Sequence, residues 1–130
     1  MAVTIGGTTG ITIPATATNQ SGAVAWGRLN GVGGSTINAS YNIASISRTG
    51  VGTYTVSFTN ALADANYAVV ISTSGDGTNA GNIVIPFNAS MTTTNATTAP
   101  TSSGFVFSMA NQTTSSTARD GQYISFAVFR

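Results

Sequence analysis

The chain has 130 residues, enough for one domain, and only 5% of them are charged, all of them Arg or Asp, against ~25% in an ordinary soluble domain. Lys, Glu, His and Cys are absent, which excludes a disulfide framework, a thiolate nucleophile or zinc site, an imidazole base and a lysine Schiff base. The net charge of +1 provides no basic field for nucleic acid. With 42% hydrophobic residues and regularly alternating aromatics, the sequence reads as folded rather than disordered.

The first residues, Met1 to Gly7, carry no basic segment and no apolar run of the kind a signal peptide needs, and no stretch approaches the ~20 apolar residues of a membrane helix. Residues 1–22 contain four large apolar side chains, Val3, Ile5, Ile11 and Ile13, set around a Gly6-Gly7 bend and stopped by Pro14. A segment so thinly apolar cannot bury itself. It reads as an extended N-terminal attachment arm that packs on its own domain or on another subunit, with those four residues as its contacts to a subunit or to another protein.

Residues 23–130 read as the body. Helical periodicity is confined to Asn60 to Asn66, too short for more than a turn, and Gly, Asn, Thr and Ser dominate elsewhere. Strand periodicity is clear. Ala23 to Leu29 is the first candidate, with Trp26 expected in the core. Ile37 to Arg48 is the second, with Ile46 out of step and a bulge expected near Ala44-Ser45. Arg48 to Thr53 (RTGVGT) makes a hairpin turn into Tyr54, Val56 and Phe58. Tyr67 to Ser72 is almost continuously apolar and reads as a strand covered on both faces. Ile83 to Phe87 and Phe105 to Met109 alternate. The last strand, Tyr123 to Phe129, places Tyr123, Ala127 and Phe129 on one face and Ile124, Phe126 and Val128 on the other. About seven strands predict an all-β fold, a single antiparallel sandwich of jelly-roll-like or Ig-like form.

Three connections, 73–82, 88–103 and 110–122, carry the candidate external contacts Asp76, Asn79, Asn82, Arg119 and Asp120. Asp76, in SGDGTNAGN, offers one carboxylate where calcium wants ~6–8 oxygens, so that loop reads as a Gly/Asn turn and no metal is assigned. Arg119-Asp120-Gly121 reads as a local ion pair and turn, with an inter-subunit role as the alternative. The Thr runs at 92–94 and 113–114 lack the fixed period of an ice-binding surface. Of the three aspartates, Asp64 is expected to cap a turn and the other two lie in separate loops, so no carboxylate pair for glycoside hydrolysis is expected. The expectation is a non-enzymatic protein with no cofactor.

Three segments share a resemblance. GTTGITIP at 7–14, AWGRLNG at 25–31 and, most specifically, INASYNIASISRTGVGTYTVSFTNALADANY at 37–67 resemble segments of the C-terminal β-domains of tailed-bacteriophage tail-fibre and related exterior virion proteins. The resemblance covers about half the chain. It implies a homotrimeric structural protein on the virion exterior, made in the host cytoplasm, of fibre or receptor-binding type. Its expected partners are itself, other capsid or tail proteins and a host surface glycan, with no nucleic acid and no membrane. A capsid decoration protein is the alternative within that class, and a stand-alone glycan-binding module is the alternative outside it.

Overall fold

A computed structural model describes residues 4–6, 10–12, 22–75, 82–86, 98–111 and 118–130; for 4–6, 10–12, 82–86 and 111 it describes the backbone alone. Two short strands, β1 (Thr4–Gly6) and β2 (Gly10–Thr12), pair with each other as a separate two-stranded ribbon, with Ile5 opposite Ile11. The N-terminal segment, expected to be extended, therefore folds back on itself here. Val3 and Ile13 lie outside the described residues.

Eight strands make the body: β3 (Ala23–Asn30), β4 (Thr36–Tyr41), β5 (Ile43–Gly50), β6 (Thr53–Phe58), β7 (Ala68–Thr73), β8 (Asn82–Pro86), β9 (Gly104–Asn111) and β10 (Ile124–Phe129). They form two four-stranded sheets, ordered β4-β3-β10-β7 and β5-β6-β9-β8, with every pairing antiparallel. No helix occurs among the described residues. The protein is an all-β sandwich, as the period-2 alternation predicts.

The segment expected as one bulged strand over 37–48 is two strands in different sheets. Asn42 makes the crossing with a left-handed backbone, φ 55°, which Asn tolerates better than most residues. Its side chain holds the corner. Oδ1 accepts the Asn60 N–H at 2.8 Å, and Nδ2 donates to the carbonyls of Asn60 at 3.1 Å and Val24 at 3.3 Å. The expected bulge is present as well, as a register shift between Ile43 and Ser45.

The inner faces meet in one core. Ala25, Leu29, Ile124, Phe126 and Val128 from the first sheet face Ile46, Tyr54, Val56, Phe58, Phe105, Phe107 and Met109 from the second. The rings interlock: Tyr54 stacks on Phe107 at 5.1 Å, and Phe126 stands edge-on to Phe105 at 5.5 Å. Phe126 lies across Gly27 of the neighbouring strand. A Cβ at Gly27 would sit 2.7 Å from the Phe126 ring, so the ring's position requires a residue with no side chain.

Candidate interaction surface

Asp120 does not serve the local pair with Arg119 that the sequence suggests. Its carboxylate turns to the β5–β6 hairpin, 72 residues away in sequence at Arg48. Arg48 Nε donates to both carboxylate oxygens at 3.0 Å and Nη2 donates to Oδ2 at 2.8 Å. The Gly52 N–H donates to Oδ1 at 2.8 Å, and the buried Tyr54 hydroxyl donates to the same oxygen at 2.7 Å. Burial opposes the charge on Asp120, but the hydrogen bonds from Arg48, Gly52 and Tyr54 outweigh it and hold the carboxyl below its ordinary range. Burial first, and then the carboxylate, push the Tyr54 phenol up. Gly52 has φ +66°, which lets its N–H point at Asp120 in so tight a turn. Asp120 is thus a staple between the β9–β10 connection and the β5–β6 turn, with its acceptors occupied from inside the fold.

Asp64 behaves as expected at its corner. Oδ1 accepts the Asn66 N–H at 2.8 Å, capping the turn, and Arg130 Nη2 donates to Oδ2 at 2.6 Å. The Arg130 guanidinium, followed by the Asn66 N–H, lowers this exposed carboxyl to about 2. Beside it, the Tyr67 hydroxyl lies 2.8 Å from the Gly104 carbonyl and 3.1 Å from that of Thr101, and burial pushes it up to about 12. No three acidic, Cys or His side chains come together as a metal-holding group among the described residues.

Of the other candidate contacts, Asp76 and Asn79 lie outside the described residues. Asn82 opens β8, its backbone opposite Asn111. Arg119 is half-buried, and its N–H donates to the Met109 carbonyl at 3.2 Å. A hollow of about 220 Å³ opens on the outer side of the second sheet, lined by Thr55, Ser57 and Val106 with Thr98, Ala99 and Thr101 of the preceding loop.

The feature that sequence reasoning missed is the outer face of the first sheet. Trp26, expected in the core, points outward and is 40% exposed. It stands opposite Tyr41 of β4 on one side and Ala127 of β10 on the other, and Ala127 stands opposite Val70 of β7. The row Tyr41–Trp26–Ala127–Val70 therefore crosses all four strands. Tyr123 and Phe129 share the face by the parity of β10. Of the eight exposed large hydrophobic residues described, five (Trp26, Tyr41, Val70, Tyr123 and Phe129) lie here, so the exposure is concentrated rather than scattered. Arg28 is the charged residue of the face, and its guanidinium lies 5.7 Å from the centre of the Tyr123 ring. The corresponding outer row of the second sheet, Ser47–Thr55–Val106, is mostly small and polar.

The signal for this face was present in the sequence. Tyr67 to Ile71 reads as covered on both faces, but in the structure Ala68, Val70 and Ser72 are exposed while Val69, Ile71 and Thr73 turn inward. No protein-family model matches the chain, and no curated protein or solved structure is significantly similar to it.

Proposed function

We propose that this is a non-enzymatic structural protein on the exterior of a tailed-phage virion, of fibre or receptor-binding type, working as a homotrimer. The observation that carries the reading is the structural use of the segment 37–67, whose pattern resembles that of phage fibre β-domains. Within it Asn42 makes the sheet crossing, Arg48 and Gly52 hold Asp120, Tyr54 fills the core, and Asp64 and Tyr67 close the corner before β7. A pattern in which most of the distinctive residues build the scaffold supports a shared fold over an active site, and its exposed member, Tyr41, lies on the outer face of the first sheet. The low charge agrees with a protein whose surface is largely covered by neighbours.

Immunogold electron microscopy of the phage that encodes the chain tests the proposal. Gold on the tail tip supports the fibre reading, and gold spread over the capsid moves the protein to the decoration class. Unlabelled particles with antigen only in the soluble lysate overturn the virion reading. A glycan-binding module is the second reading, favoured by four exposed rings, Trp26, Tyr41, Tyr123 and Phe129, on one face. Glycan-array binding that is lost in Trp26→Ala favours that reading.

A further inference from the structure

We infer that the outer face of sheet β4-β3-β10-β7 is covered by other copies of this chain, and that Trp26, Tyr41, Val70 and Phe129 form the apolar centre of the subunit interface. The inference rests on the trimeric reading above and adds to it the surface that associates.

Three observations select a second copy as the occupant. The first is sequence pattern against coverage. The stretches Tyr67-Ala68-Val69-Val70-Ile71 and Phe126-Ala127-Val128-Phe129 are apolar on both sides, as in strands buried on both faces, whereas a strand with one wet face alternates with polar residues. Among the described residues nothing lies across the outer side, and Val70 is 62% and Phe129 38% exposed. The second is area. At ~150–250 Å² per aromatic side chain, the exposed fractions of the four rings amount to about 400 Å². That is near half of the ~800 Å² that one partner contributes to a standard interface, and Val70, Ala68, Ala127, Ser72 and Ser125 extend the same face. The third is charge and shape. The Arg28 guanidinium lies against Tyr123, so like faces can approach with that charge partly covered by a ring. The face is an open sheet surface, and the described hollow at Thr55, Ser57 and Val106 lies on the opposite side of the sandwich.

The test uses the full chain, by light scattering after size exclusion. Tyr41→Arg with Val70→Arg, and separately Tyr41→Ser with Val70→Ser, change the two most exposed side chains of the face. Ser45→Arg with Ser47→Arg adds the same charge to exposed positions of the other sheet. The expected result is three subunit masses for the unmodified chain and the Ser45/Ser47 control, and a threefold fall to one mass for both face variants. Face variants that keep three masses overturn the inference and leave the trimer standing; if they also lose adsorption to host cells, the face belongs to a receptor. An unmodified chain of one mass overturns the trimer and the inference with it. A measurement independent of variant folding is thiol labelling, because the chain has no cysteine. A cysteine placed by Ser125→Cys is expected to react with maleimide at least tenfold more slowly in the native assembly than one placed by Ser47→Cys, and equally fast in urea. Equal native rates overturn the inference.

Discussion

The two sheets of this sandwich have similar inner faces and opposite outer faces. Inward, each contributes aromatic and branched side chains to one core. Outward, the second sheet carries the row Ser47–Thr55–Val106, with the loop containing Thr98, Ala99 and Thr101 beside it, while the first carries Tyr41–Trp26–Ala127–Val70 with no described segment across it. The buried core is built from the inner layers. The outer rings of the first sheet lie outside that core, and the subunit interface proposed above is what would cover them.

The strongest way to break this comparison is within the first sheet. Phe126→Ala, on the inner side of β10, is expected to destabilise the subunit by ~3–5 kcal/mol in urea unfolding, since it opens a cavity beneath Gly27. Val70→Ser, on the outer side of β7, is expected to change it by about 0.5 kcal/mol or less at concentrations below assembly. Similar losses in the two variants would show that the outer face is part of the subunit's own core.

Next in size is the Asp120 staple. Asp120→Ala leaves the Tyr54 hydroxyl and the Gly52 N–H without their carboxylate, for an expected loss of ~2–3 kcal/mol. Asp120→Asn keeps an acceptor oxygen and is expected to lose less. Because the folded carboxyl titrates below its ordinary ~3.9, its stabilisation is fully present above about pH 4 and is lost as pH falls through the lowered value. The urea midpoint of the natural chain is expected to fall below pH 4, and that of Asp120→Asn to fall less steeply. Parallel curves would remove Asp120 as the cause. Asp64, lowered to about 2, acts in the same direction and is lost as pH falls through about 2. The smallest effect is expected at Ser47→Ala on the second sheet: no change in mass and about 0.5 kcal/mol or less in stability.

Local periodicity made most strands legible. The two faces of β10 were assigned correctly because alternation there spans seven residues, Tyr123 to Phe129. The split at Asn42 was not legible, because apolar residues continue on both sides of a single left-handed residue. The partner of Asp120 was hidden by distance along the chain, and its neighbour Arg119 offered a simpler local pair. Trp26 was misplaced for a different reason. Its strand, Ala23-Val24-Ala25-Trp26-Gly27, is apolar on both faces, and only the structure shows that the inner side is held by Ala25, Gly27 and Leu29. The same double-sided pattern that misled the assignment of Trp26 is what sets this face apart.

The most direct test of the account is the distance between equivalent points of neighbouring subunits. Spin labels attached at Ser125→Cys, on the outer face of the first sheet, and at Ser47→Cys, on the outer face of the second, are compared by pulsed electron resonance in the assembled protein. Convergence of the first sheets predicts an inter-subunit distance at position 125 shorter than that at position 47 by more than the ~10 Å between packed sheets. A shorter distance at position 47 would contradict it.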